Sequence, residues 1–309
     1  MSSSLSARSA RTAPSPHAPV PGPGTSAVVA RLRAAGCVFA EDEAALLLAT
    51  ARTPGDLAAM VERRVAGQPL EHVLGWAEFG GLRVAVDPGV FVPRRRTEFL
   101  LGEAVALGRR AAERAGQAGP DGPDGPARRP VVVVDLCCGS GAVGAALAGA
   151  LAGAPGGVEL HAADIEPAAV RCARRNVAAA GGRVHEGDLF APLPVRLRGR
   201  IDVLTANVPY VPTEEVGLLP PEAREFEPLV ALDGGADGLD VLRRVAAAAP
   251  RWLAPGGHLL VETGERQAAR AVETFRHSGL RPRVATCGER SATVVIGTRP
   301  PAPARPESR

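Results

Sequence analysis

Hydrophobic and polar positions change period along the chain. Between Thr25 and about Gly67, the apolar residues of AVVARLRAAG, EDEAALLLATA and DLAAMVERRVAG recur at amphipathic-helix spacing. Thr53 or Asp56 is placed to cap the third of these segments. Residues 79–92 (FGGLRVAVDPGVFV) alternate and contain Gly-Gly and Asp-Pro-Gly turns, which predicts a β-hairpin. A helix is expected from about Thr97 to Arg114, followed by the low-complexity run GQAGPDGPDGPARR. From Pro130 onward, strand-like runs (VVVVDLCC, VELHAADI, RVHEGDL, IDVLTANVPY, HLLVETG) alternate with helical ones. That alternation predicts an α/β fold with a doubly wound, mostly parallel sheet. The final runs, RPRVATC and SATVVIGT, are three residues apart, too close for a parallel crossover, so an antiparallel pair is expected at one sheet edge.

The resulting organisation is a disordered tail over 1–24, a small helical domain over 25–78, a hairpin linker over 79–92, a catalytic domain over 93–299 and a second tail over 300–309. Composition adds little to this picture. With 309 residues, 46% of them apolar, the chain can build a large core, and its net charge of +3 does not by itself call for nucleic acid. All 36 basic residues are Arg in an Ala-, Gly- and Pro-rich background, so arginine counts carry little functional weight. Five cysteines without a C-x-x-C pair fit reduced thiols in a cytoplasmic protein. No signal peptide or membrane span is evident, and the six scattered histidines have no metal-ligand spacing. A cytoplasmic monomer is expected.

Two stretches carry candidate chemistry. Asp135-Leu-Cys-Cys-Gly139-Ser-Gly141-Ala-Val-Gly144 falls where the first sheet strand meets its helix, so glycines there let the backbone approach a ligand. This pattern alone also fits a nicotinamide or flavin site. Acids at three successive strand ends tilt it toward S-adenosylmethionine, since open α/β sheets bind ligands at the strands' carboxyl ends. In that reading Asp135 attracts the ammonium of the methionine portion and Asp164 accepts the ribose hydroxyls. Ile165 packs on the adenine, and Asp188 and Leu189 meet its edge. Cys137 and Cys138 pack beside the glycines, Cys137 as part of the cofactor loop.

The second stretch, Asn207-Val208-Pro209-Tyr210, ends the fourth strand. An amide nitrogen is a poor nucleophile because its lone pair is delocalised, and a site helps by accepting both N–H hydrogens and fixing the nitrogen in line with a methyl donor. The Asn207 side-chain oxygen and the Val208 carbonyl can supply those acceptors, Pro209 stiffens the turn, and Tyr210 can stack on a planar group. Asn207 also borders the cofactor. An exocyclic base amine is planar too and suits the same tetrad, but such an enzyme needs a base-recognition surface. With aromatics at 3% and no basic aromatic stripe, direct nucleic-acid binding is not expected.

These motifs together resemble the protein-(glutamine-N5) methyltransferases that modify peptide-release factors. The similarity spans about residues 25–299 and is carried by GQPLEHVLGWAEFGGLRV, VPRRRTE, DLCCGSGAVG, NVPYVP and PEAREFEPLVALDGGADGLDVLRR. The resemblance implies a helical substrate-recognition domain, a hairpin linker and a class I methyltransferase domain. It also implies methylation of a glutamine in the Gly-Gly-Gln loop of class I release factors. It matches Asp135, Gly139, Gly141, Asp164 and Asp188 to the cofactor and Asn207, Pro209 and Tyr210 to the acceptor amide. Two departures mark a divergent subgroup. Val208 stands where the family tetrad usually has proline, and Pro93-Arg94-Arg95-Arg96-Thr97-Glu98 replaces a PRPETE-like run, exchanging an acid for positive charge near the pocket or its rim.

Overall fold

The computed structural model describes residues 23–117 and 129–301. The tails expected at 1–24 and 300–309 and the low-complexity run 116–129 lie outside the described residues except at their inner ends, where Pro23 and Gly24 begin a helix. Two compact units divide between Val65 and Ala66.

The first unit contains α1 (Pro23–Ala34), α2 (Ala40–Thr50) and α3 (Pro54–Val65), packed on one another. Thr53 and Asp56 cap α3 reciprocally. The Thr53 hydroxyl accepts the Asp56 N–H and the Asp56 carboxylate accepts the Thr53 N–H, each at 3.1 Å, which satisfies two donors a helix start leaves free. Arg64 and Glu43, both nearly buried, pair at 2.7 Å.

The second unit opens with α4 (Leu70–Leu74) and the hairpin of β1 (Trp76–Phe79) and β2 (Leu82–Ala85). The hairpin therefore lies N-terminal to the expected 79–92. Gly80 and Gly81, both at positive φ, form the two-residue turn, so the residues flanking them are the ones that pair. The Asp87-Pro88-Gly89 turn makes no second strand. Proline has no N–H for a ladder, and residues 91–94 beyond the turn belong to no strand.

After α5 (Glu98–Gln117) the chain alternates β3 (Val131–Leu136), α6 (Ala142–Ala150), β4 (Val158–Asp164), α7 (Pro167–Val177), β5 (Arg183–Glu186) and β6 (Ile201–Ala206). A short α8 (Pro221–Phe226) precedes α9 (Asp240–Trp252), β7 (Leu253–Thr263), α10 (Ala268–His277), β8 (Arg281–Cys287) and β9 (Ala292–Thr298). The strands form a seven-stranded sheet, ordered β5-β4-β3-β6-β7-β9-β8 among the described residues. β3 to β7 are parallel, and β9 is antiparallel to both neighbours, so the expected edge pair is present with the reversed strand seated between β7 and β8. This is the class I methyltransferase arrangement.

Alternate residues of the apolar strands serve opposite faces. Val131 and Val133 of β3 join the core under α5 and α6, while Val132, Val134 and Leu136 join the core under α9 and α10. A strand covered on both faces needs an unbroken apolar run, which is why VVVV sits at the sheet centre. The doubly covered sheet leaves its strand ends as the place where loops can enclose a ligand.

Candidate active site

β3 ends in Asp135 and Leu136, and the chain then turns sharply, with Cys137, Gly139 and Gly141 at positive φ, before entering α6. Asp135 is buried. One carboxylate oxygen accepts the Gly144 N–H at 2.9 Å and the other the Thr205 hydroxyl at 2.8 Å. Burial pushes its carboxyl up to about 7, against the two hydrogen bonds. At the end of β4, Asp164 accepts the Gly139 N–H at 2.8 Å and the Glu166 N–H at 2.9 Å. It thus holds the glycine loop across the strand gap, and burial raises its carboxyl as well. Asp188, after β5, is paired with Arg244 of α9. Burial and the neighbouring carboxylates push the Cys137 and Cys138 thiols up, so both remain protonated packing groups.

These strand ends enclose a cavity of about 710 Å³, lined by Asp135, Cys137, Gly139, Asp164, Ile165, Asp188 and Leu189 and also by Asn207, Val208, Pro209 and Tyr210. Sequence-selected residues from four strand ends are thereby brought together. Gly141 is the exception, because it lies outside the lining. At φ +77° it makes the turn into α6, and a Cβ there would come 3.0 Å from the Ala173 Cβ, so this glycine also serves the close approach of α6 and α7.

Among the described residues the buried side-chain oxygen of Asn207 has no hydrogen-bond partner, and neither has the Thr97 hydroxyl, also on the cavity wall. An orphaned buried acceptor costs about 1–3 kcal/mol. Val208 is fully buried, so its exchange for proline alters the wall and not an exposed turn. The backbone beyond it is held from outside by residues 232–238. Val211 donates to the Leu232 carbonyl at 3.1 Å and accepts from the Gly234 N–H at 2.8 Å. The Gln267 side-chain amide donates to the Tyr210 carbonyl at 2.9 Å. A Cβ on Gly234 would lie 2.7 Å from the Pro209 carbonyl oxygen, and one on Gly238 would strike that of Tyr210. The glycines of LDGGADG thus let two backbones touch, which gives that run its physical reason.

Other wall residues carried no sequence signal for their partners. Glu227 of the FEP run accepts the Val92 N–H at 3.1 Å and pairs with Arg94 at 2.5 Å. Burial pushes its carboxyl up while Arg94 opposes the shift. Arg96, from the divergent arginine run, pairs with the buried Glu262 of β7 at 2.9 Å and hydrogen-bonds to the Tyr210 hydroxyl. Burial, reinforced by Glu262, raises the Tyr210 phenol above its ordinary range, so it stays protonated. Arg94 and Arg96 line the cavity, which places them in its wall, beyond the solvated turn that a basic run suggests by itself.

Residues 126–217 match the family described as Methyltransferase small domain. The chain is 39% identical over 231 residues to the release factor glutamine methyltransferase of Geobacter sulfurreducens, covering 73% of this chain and 72% of that one. It is equally 39% identical over 221 residues to the release factor glutamine methyltransferase of Mycolicibacterium smegmatis, covering 71% and 70%. A third relative, the 4-amino-L-phenylalanine/4-methylamino-L-phenylalanine methyltransferase of Streptomyces pristinaespiralis, is 35% identical over 243 residues, with 76% and 75% covered.

Proposed function

The chain belongs to the release factor glutamine methyltransferase family, and from that premise we propose how its cavity methylates the side-chain nitrogen of a glutamine in a protein acceptor. It is an S-adenosylmethionine-dependent methyltransferase. The cavity suits such a ligand. It falls within the roughly 300–1,000 Å³ typical of small-molecule sites. It also combines buried carboxylates with the Asn207 Oδ1 acceptor and the Thr97 hydroxyl, neither partnered among the described residues, a polar surface for a cationic, hydroxyl-bearing ligand. When bound, S-adenosylmethionine supplies an electrophilic methyl group on a sulfonium. We assign Asp135, Cys137, Gly139, Asp164, Ile165, Asp188 and Leu189 to holding it, with Asn207 at the border between donor and acceptor and Gly141 shaping the turn of the loop.

The observation that carries the acceptor reading is the Asn207 oxygen on the cavity wall, which has no partner among the described residues. It accepts one hydrogen of the glutamine amide and the Val208 carbonyl accepts the other, leaving the nitrogen lone pair aimed at the methyl donor. Tyr210 stacks on the planar amide, and Pro209 restricts the turn. No base is needed before transfer, because the nitrogen's acidity rises once it is alkylated and the proton then leaves to solvent. The acceptor assigned is the Gly-Gly-Gln loop of a class I peptide-release factor, bound by a cytoplasmic monomer. Recognition of that protein is assigned to the N-terminal helical unit, where Val38 and Phe39 are exposed in the turn before α2. No helix among the described residues is long and apolar enough to cross a membrane.

A second reading, a free aromatic amine as acceptor, is favoured by the relative that acts on 4-amino-L-phenylalanine, since an aryl amine is also planar. Incubation with labelled S-adenosylmethionine, a class I release factor, 4-amino-L-phenylalanine and RNA, followed by mass spectrometry, separates the readings. Label on the Gly-Gly-Gln glutamine is expected. Label on the free amine or on RNA alone overturns the protein-acceptor assignment.

A further inference from the structure

Tyr210 is held by more than its place in the tetrad. Its hydroxyl accepts a hydrogen bond from Arg96 Nη2 and donates to Glu262 Oε1 at 3.2 Å. Arg96 Nε donates to that same carboxylate oxygen at 2.9 Å, and the guanidinium carbon stands 5.7 Å from the Tyr210 ring centroid. The three side chains close a ring that joins the turn before α5, the loop after β6 and the end of β7.

The Glu262 side chain is 3% exposed, and its Oε2 has no partner among the described residues. A buried carboxylate in that state depends on its one cation, because removing the partner leaves an uncompensated charge. The phenol is engaged on both sides, once as acceptor and once as donor, so its hydroxyl is committed to the wall. What it can offer an acceptor is its ring face. An acid at position 96, as in the PRPETE-like run, would set a second carboxylate against Glu262 and could not donate to the phenol, so the arrangement requires this arginine.

We propose that Arg96 and Glu262 are positioning residues that clamp the Tyr210 phenol and so fix the ring against which the planar acceptor group stacks. The stacking half rests on the acceptor reading given above; the clamp itself does not. Because Tyr210 is the chain's single tyrosine, a protein labelled with carbon-13 tyrosine reports on this residue alone. In the full chain the two sides of the Tyr210 ring should give broadened or separate resonances. Arg96→Ala and Glu262→Gln should each collapse them to narrow averaged lines and move the hydroxyl-bearing carbon's shift. With S-adenosylmethionine and a class I release factor, Arg96→Ala should raise KM for the acceptor roughly two- to tenfold, the range of one aromatic contact. Calorimetric affinity for the cofactor should stay unchanged. The penalties of Arg96→Ala and Tyr210→Phe should be less than additive when combined.

Should Arg96→Ala not fold, Arg96→Lys keeps the charge beside Glu262 without the guanidinium fork, and it should free the ring in part. Tyrosine resonances identical to wild type in the folded Arg96 variant and in Glu262→Gln, or fully additive penalties, would overturn the proposal. Failure of the wild-type chain to methylate the release factor would instead remove the acceptor reading and leave the resonance test standing.

Discussion

Asn207→Ala should separate the chemistry of this site from its stability, with opposite signs. The Asn207 oxygen is buried without a partner among the described residues, an arrangement that costs about 1–3 kcal/mol. Truncation removes that penalty and loses only the packing of a half-buried side chain. The net effect on stability is therefore neutral to favourable. For a unit of this size each 1 kcal/mol moves the unfolding temperature by about 2–4 °C. Calorimetric scans should thus show the variant melting at the wild-type temperature or a few degrees above. In the reacting complex the same oxygen orients the amide, and removing one preorganised hydrogen-bonding group of this kind costs about 10²–10³ in kcat. Methyl transfer to a release factor, followed with labelled cofactor, should fall by that factor while cofactor affinity changes little. A variant that melts several degrees lower would show that Asn207 is a structural group with a partner in solution. A stable variant that still turns over at the wild-type rate would refute the amide clamp.

Other consequences follow from the carboxylates and from the altered tetrad. Asp164→Ala removes the acceptor for both the Gly139 and Glu166 N–H groups as well as the proposed ribose contact, so calorimetry should show cofactor binding lost. The Asp135 carboxyl lies at about 7 in the folded protein and near 4 in an unfolded chain, so the fold holds a proton that the unfolded chain releases. Its stabilising share is complete below about pH 4 and is lost as the pH rises through 7. The ionised form is the one that attracts an ammonium. The thermal shift produced by S-adenosylmethionine should therefore grow from pH 6 to pH 8, and a shift that shrinks over that window would remove Asp135 from the cofactor site. Val208→Pro should retain methyl transfer, since a carbonyl remains at that position. A folded but inactive Val208→Pro variant would show that the valine side chain shapes the buried wall.

The sheet, the glycine loop and the tetrad are legible in the amino-acid order alone, because each is written in neighbouring residues. Unbroken apolar strands mark a sheet covered on both faces, glycine marks a turn that needs positive φ, and acids at strand ends mark where an α/β sheet opens. The hairpin shows the limit of that reading. Alternation ran on past the residues that pair, and only the two-glycine turn fixed the register at Trp76–Ala85. Tertiary structure decided the rest. It packed Gly141 against α7, set LDGGADG against the tetrad backbone, and brought Glu227 to Arg94 and Glu262 to Arg96 across more than 130 residues of chain. It also set the protonation of Asp135 through burial. Periodicity reports which face of an element is apolar, but which charges meet there depends on how distant segments pack, and no local pattern encodes that.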